Sequence, residues 1–338
     1  MQKGDIILTI RTTAYNHERY IRDCLDGIVM QKTNFRFEAI VHDDCSTDNT
    51  ASIIREYAAK YPDIIKPIYE EENQYSKGKD SQMGKKMDAL THGKYIAICE
   101  GDDYWTDPTK LQRQVDFLES HPEYSMCFHD VEVKAEVGRE WYDCFGKIEN
   151  REYKAPELIR DWKVPTCSMV IRREVYEKRP VNSKFRMGDN VLVMTCLSNG
   201  KVWGMNRKMG VYRLNPGSWL DTHKGKRNCY DFISHYKGMM EEFPLCRCQQ
   251  MYNNIENKYF ELMAILKKEG NQEEFERVKN DYLNYPGTTH MDKFDRYYRI
   301  ESLRHITKLL LGPKISKLVS VLKTRLGLNE GRSINSTI

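Results

Sequence analysis

Short apolar runs alternate with amphipathic stretches through the first hundred positions of the chain. Ile6 to Ile10 is a nearly continuous apolar run and predicts a first strand. A polar loop from Arg11 to His17 leads to a helix from about Glu18 to Met30, with Ile21, Leu25, Ile28 and Val29 on one face. Phe37 to Val41 predicts a second strand, ending in His42-Asp43-Asp44-Cys45-Ser46-Thr47-Asp48, where Ser46 or Thr47 is placed to cap the next helix. That helix carries Ile53, Ile54, Tyr57 and Ala58 and stops near Pro62. Ile64 to Tyr69 reads as a third strand, followed by a long polar segment to Gln82 and a short helix. Tyr95 to Cys99 reads as a fourth strand. Strands alternating with helices imply an α/β domain with a mostly parallel sheet.

After Pro108 a helix runs from Lys110 to Leu118 and ends near His121-Pro122. Met126 to Lys134 and Thr166 to Arg172 read as strands, Asp189 to Leu197 as a helix, and Lys201 to Met205 and Val211 to Leu214 as further strands. From about Arg227 strand patterns vanish. The chain is therefore expected to divide into a domain over residues 1–225 and a helical region over 226–338. In the latter, Ile315, Leu318, Val319, Leu322 and Leu326 form a stripe opposed by Lys317, Lys323 and Arg325. Two readings stand for it, packing against the first domain or contact with an anionic membrane surface.

Composition narrows the function classes. A chain of 338 residues has room for one catalytic-size core and an appendage. The net charge of +4 is too mild to imply a nucleic-acid partner. The ten cysteines are scattered, with no Cys-x-x-Cys pair, and no apolar signal-like stretch precedes the first strand, so reduced thiols and a cytoplasmic location are expected. No run of about 18 apolar residues is present to span a membrane.

The chemistry concentrates in Glu100-Gly101-Asp102-Asp103-Tyr104-Trp105, directly after the fourth strand. Carboxylates this close repel one another, and a bound cation neutralises them. In open α/β sheets ligands bind at the carboxyl ends of the strands. Three motifs fall there: Thr12-Thr13-Ala14-Tyr15-Asn16, His42 to Asp48, and the acidic cluster.

Together they resemble the family 2 glycosyltransferases, inverting enzymes of the GT-A fold that use nucleotide-diphosphate sugars and build polysaccharides and other glycans. The resemblance covers about residues 5–220 and leaves out the C-terminal helices. It implies that Thr13 and Tyr15 line a nucleobase pocket and that Asp44 accepts a hydrogen bond from the base, a carboxylate being acceptor-only where a uracil imide N–H donates. It implies that Asp102 and Asp103 hold Mn²⁺ or Mg²⁺ against the diphosphate. Glu100, one methylene longer than the usual first Asp, would take a ribose or supporting contact. Trp105 and Tyr104 would wall the sugar or acceptor site or else belong to the core. Asp189 would be the general base, although Gly188 replaces the acid that often precedes it. Arg213, in Val211 to Trp219, would contact the diphosphate, with Asn215 where a histidine is often found, and Lys85 or Lys86 would add positive charge. The expected partners are a nucleotide-sugar donor, UDP-linked first, and a glycan or lipid-linked acceptor, with the basic tail bringing the enzyme to the membrane face. Two rivals remain: a sugar-phosphate nucleotidyltransferase, against which the glycine-free Arg11 to Asn16 loop counts, and a nucleotide-sugar-binding protein without turnover.

Overall fold

The structure, a computed structural model, describes residues 5–77, 80–138, 141–216, 224–286, 291 and 293–299. The stripe from Ile315 to Leu326 and the loop residues Gly217 to Trp219 lie outside the described residues. The chain divides into two compact units. One comprises Met1–Lys154, Lys163–Val181 and Asp189–Ser218, the other Ala155–Trp162, Asn182–Gly188 and Trp219–Ile338. No helix among the described residues is long and apolar enough to cross a membrane. None of the ten cysteines is paired in a disulfide.

The first unit is built on a nine-stranded sheet. Its strands are β1 (Ile6–Ala14), β2 (Arg36–Asp43), β3 (Ile65–Tyr69), β4 (Tyr95–Ile98), β5 (Tyr104–Trp105), β6 (Tyr124–Ala135), β7 (Arg151–Tyr153), β8 (Val170–Arg172) and β9 (Lys201–Leu214). They lie in the order β3-β2-β1-β4-β8-β6-β9-β5, with β7 also on β9. β1 runs parallel to β2 and β4, β2 to β3, and β6 to β9. The short β5, β7 and β8 are antiparallel to their neighbours. The mostly parallel central strands are buried, as their apolar runs require.

β1 continues past the expected boundary at Ile10 to Ala14, because Thr13 and Ala14 pair in register with His42 and Asp43. The polar side chains that suggested a loop are accommodated in the strand. Arg11 is ion-paired with Asp88 on the helix Asp80–Ala89 and donates to the Gly84 carbonyl of that helix at 3.2 Å. The two expected strands at Lys201 to Met205 and Val211 to Leu214 are one strand. Its pairing jumps from His129↔Met205 to Asp130↔Lys208, so Asn206 and Arg207 bulge out and break the sequence pattern.

Helices α1 (Ile21–Val29), α2 (Thr50–Lys60), α3 (Asp80–Ala89), α4 (Lys110–Ser120), α6 (Arg173–Tyr176) and most of α7 (Gly188–Asn199) complete the first unit. α2 is not capped by Ser46 or Thr47 as expected. Asp48 accepts from the Thr50 N–H at 2.9 Å, while Ser46 and Thr47 are engaged with Asn16. α1 lies so close to β5 that a Cβ on Gly27 would stand 2.8 Å from the Trp105 backbone nitrogen, leaving room for glycine alone.

The second unit holds α5 (Ala155–Arg160), α8 (Gly225–Glu242), α9 (Gln249–Glu269) and α10 (Gln272–Asn284). α9 stops at Gly270, whose φ of 71° is the left-handed conformation of a helix terminus. Asn271 then caps α10 by accepting from the Glu274 N–H. Phe232, Ile255, Tyr259, Phe260, Leu262 and Tyr282 form its core.

Candidate active site

The carboxyl ends of β1, β2 and β4 lie side by side, because β1 pairs with both others. Two non-glycine residues there adopt left-handed backbone, Asn16 (φ 54°) and Cys45 (φ 61°). Such conformations persist where neighbours over-determine them, and they gather at functional sites. Here the two loops brace each other: Asn16 Oδ1 accepts from the Thr47 N–H at 2.8 Å, and the Asn16 N–H donates to Ser46 Oγ at 3.0 Å. Thr13 and Tyr15 are exposed at this end, Tyr15 at 44%. Asp44 is buried, and its two oxygens accept the N–H groups of Gln74 (2.7 Å) and Tyr75 (3.0 Å), fastening the segment that follows β3. Each oxygen retains a second lone pair. Asp43, which has no role among the expected site residues, is also buried. Its Oδ2 takes the Ser46 N–H, and its Oδ1 has no partner among the described residues.

The acidic loop is held against β1 by backbone bonds, Cys99 N–H to the Arg11 carbonyl (3.1 Å) and Gly101 N–H to the Thr13 carbonyl (2.9 Å). A side chain at Gly101 would meet His17 Nδ1 at 2.9 Å. This tight seating gathers Glu100, Asp102 and Asp103, whose ligand oxygens all lie within 4.8 Å of one another. Glu100, expected to stand apart from the metal, therefore contributes to the same group. Asp103 is 1% exposed; its Oδ1 accepts the Arg213 backbone N–H at 2.8 Å, and its Oδ2 is buried with no hydrogen-bond partner among the described residues. Asp102 Oδ2 accepts from Asn215 Nδ2 at 2.7 Å, so Asn215 orients this carboxylate.

Burial, with the charge of Asp102 and then of Asp189, pushes the Glu100 carboxyl up to about 8. Burial, with the charges of Asp102 and Glu100, holds Asp103 well above the carboxylate range. An all-oxygen group of mutually repelling carboxylates with an orphaned buried oxygen fits a hard divalent cation such as Mn²⁺ or Mg²⁺.

Asp189 sits in the first turn of α7, half-buried, with its Oδ1 accepting the Asn190 N–H at 2.8 Å. Burial raises it to about 6, against the opposing pull of that backbone bond. Its charge adds, after burial and Asp102, to the rise of the Glu100 carboxyl.

Two expected contacts take other roles. The Arg213 side chain is 2% exposed and already committed: it is ion-paired with Asp23, its Nε binds Glu136 at 3.1 Å, and its Nη1 donates to the Asp102 carbonyl at 2.7 Å. Its guanidinium lies 4.3 Å from the Tyr104 ring centre. Arg213 thus clamps the acidic loop to β9 instead of presenting free donors to a diphosphate. Trp105 belongs to the core. It is 2% exposed, its Nε1 donates to the Cys167 carbonyl at 2.7 Å, and Lys110 Nζ packs 3.9 Å from its ring centre. On α3, Lys86 is held by Glu70 at 2.6 Å, whereas Lys85 is exposed with no partner among the described residues.

Residues 9–179 match the family model described as glycosyl transferase family 2. An uncharacterized protein of Mycobacterium tuberculosis (strain ATCC 25618 / H37Rv) is 36% identical over 230 residues, covering 68% of this chain and 65% of the relative. This chain thus spans less than two thirds of the mycobacterial protein's length. A Bacillus subtilis (strain 168) protein named as a teichuronic acid biosynthesis glycosyltransferase, TuaG, is 25% identical, covering 65% of this chain and 83% of the relative. Among solved structures, Staphylococcus aureus TarS with UDP-GlcNAc aligns with a TM-score of 0.54 at 17% identity, over 98% of this chain and 88% of TarS. The Pyrobaculum calidifontis mannosyltransferase PcManGT with GDP-Man and Mn²⁺ aligns with a TM-score of 0.54 at 15% identity, over 89% of this chain and 88% of that one. At these identities the likeness shows the fold, which is GT-A with a helical C-terminal region.

Proposed function

This chain belongs to glycosyl transferase family 2, and from that premise we propose that it moves a sugar from a nucleotide-diphosphate sugar, UDP-linked first, to a hydroxyl of a glycan or lipid-linked glycan acceptor, with inversion. The observation that carries the reading is the gathering of Glu100, Asp102 and Asp103 around the orphaned Asp103 Oδ2, with Asp189 in electrostatic reach. The presence of UDP-GlcNAc in the TarS complex and of GDP-Man with Mn²⁺ in the PcManGT complex supports the donor class. The likeness to TuaG, named for teichuronic acid biosynthesis, supports a place in polysaccharide synthesis.

In this reading Glu100, Asp102 and Asp103 hold the cation. When bound, it offsets the negative charge that grows on the departing nucleoside diphosphate. Thr13 and Tyr15 border the base, with Asp44 beneath it, and Lys85 is the uncommitted cation of α3 available to the diphosphate. Asp189 takes the proton of the acceptor hydroxyl as that oxygen attacks the anomeric carbon from the face opposite the diphosphate. A carboxyl raised to about 6 is a stronger base than an ordinary aspartate and is still ionised at neutral pH.

Thermal-shift titration with UDP-, GDP- and dTDP-sugars, with and without Mn²⁺, tests the reading. A UDP-sugar is expected to raise the melting temperature only when the metal is present. Glu100 adds a pH signature. Because its folded pKa lies above the ordinary value, its stabilising effect in the metal-free protein is complete below about pH 4.5 and is lost as pH rises through about 8. A cation requires the ionised form. The Mn²⁺-induced rise should therefore be larger at pH 8.5 than at pH 6, where a proton must first be displaced. An equal rise at both pH values, or none, would contradict the proposed site.

A further inference from the structure

Beside the acidic loop lies a cavity of about 300 Å³ that none of the roles above uses. We propose that it is the subsite for an anionic group on the acceptor, a phosphate or carboxylate carried by the saccharide or polyol that receives the sugar. This rests on the glycosyl-transfer reading and narrows its acceptor.

The cavity shares a wall with the metal group. Arg213 lines it, and the same residue donates its backbone N–H to Asp103 and its Nη1 to the Asp102 carbonyl. Pro216, also in the lining, follows Asn215, which holds the Asp102 carboxylate. A molecule seated there lies against the loop that carries the candidate metal ligands.

The charges of the lining do not cancel. Asp23 and Glu136 are its carboxylates, and both are committed to Arg213; Glu136 is also 3.3 Å from Lys134. Arg19 is the remaining charged group, exposed and without a hydrogen bond or ion pair among the described residues. Three cations against two carboxylates leave a net positive lining whose uncommitted donor is a guanidinium, the side chain best matched to phosphate or carboxylate oxygens. The first turn of α1 starts in the same wall at Tyr20 with no side-chain cap, so its dipole adds positive potential.

Apolar surface for a sugar ring is also present. Tyr20 lines the cavity, and Val137, another lining residue, is 94% exposed. Trp141 is 63% exposed, anchored through Nε1 to the carbonyl of Val133, the neighbour of the lining residue Lys134. A large exposed aromatic fixed by a hydrogen bond at its polar edge offers its face for stacking. The cavity thus combines a free cation, Arg19, with the neighbouring Tyr20 in one lining.

The test uses the full chain with UDP and Mn²⁺ at saturation, so that the donor site is filled. Glucose 6-phosphate, glucuronic acid and methyl glucoside are the probes, followed by saturation-transfer NMR. The phosphate or carboxylate probe is expected to bind and the neutral one not to. Arg19→Glu should weaken anionic binding by about tenfold or more, and Arg19→Lys by less, because a charge-assisted hydrogen bond becomes a repulsion in the first and is partly kept in the second. Melting temperature and UDP affinity should stay unchanged in both variants. Equal binding of the neutral and anionic probes, or anionic binding insensitive to Arg19→Glu, would overturn the proposal. Failure of the wild-type chain to bind UDP with Mn²⁺ would instead strike the donor reading, so the two failures are separable.

Discussion

Asp189→Asn is expected to lower the rate of sugar transfer by about 10² to 10⁴-fold, the usual contribution of a positioned general base. Nucleotide affinity in the presence of Mn²⁺ should be spared. The amide keeps the shape of the carboxylate and can still accept the Asn190 N–H, so the first turn of α7 keeps its local bond and only proton acceptance is lost. Wild-type activity should carry the matching pH dependence. The base works ionised and burial raises it to about 6, so the rate falls as pH drops through about 6, and this limb should be absent from the residual activity of the variant. Steady-state rates over pH 5 to 8 with titration of UDP in parallel make the check. Full activity in Asp189→Asn would remove the base assignment.

Asp102→Ala should abolish the metal-dependent part of nucleotide binding while leaving the fold intact. Asp102 is half-buried within a group of like charges, and its loss relieves repulsion on Glu100 and Asp103. UDP affinity with Mn²⁺ should drop to the level measured without metal, a loss of about tenfold or more, with little change in melting temperature. Asp103→Ala should differ in kind. It strands the buried Arg213 N–H that Asp103 Oδ1 accepts, a loss on the order of 1–3 kcal/mol, so weakened nucleotide binding should come with a lower melting temperature. Calorimetric titration of UDP with and without Mn²⁺, beside melting curves, separates the two. Metal-dependent UDP binding that survives Asp102→Ala would contradict the cation group.

The strands and helices around the acidic loop were legible because each carries its own pattern. Ile6 to Ile10, Phe37 to Val41 and Tyr95 to Cys99 are apolar runs bounded by polar turns; β1 and β2 contain the first two, and β4 takes in the third as far as Ile98. The acidic cluster was legible for the same local reason, its carboxylates being neighbours in sequence. What the chain hid depends on distant partners. Arg213 read as a free cation because Glu136 and Asp23 stand 77 and 190 positions away. Trp105 stayed open between site wall and core because nothing nearby in sequence shows that Cys167 and Lys110 enclose it. β1 looked finished at Ile10 because Arg11 in a strand is tolerable only with Asp88 beside it, and the bulge at Asn206 and Arg207 split β9 into two apparent strands. β7 and α5 are three and six residues long, too short for periodicity to declare them. The cavity at Arg19 joins α1 to the ends of β6 and β9, a neighbourhood that exists only after folding.

Metal-dependent, inverting transfer from a nucleotide sugar is decided by ¹H NMR of the first sugar product released from an α-linked UDP-sugar by the wild-type chain with Mn²⁺, using water or an added glycan as acceptor. A β-configured product that forms only when the metal is present is expected. An α-configured product, or turnover indifferent to the metal, would rule out the proposed reaction.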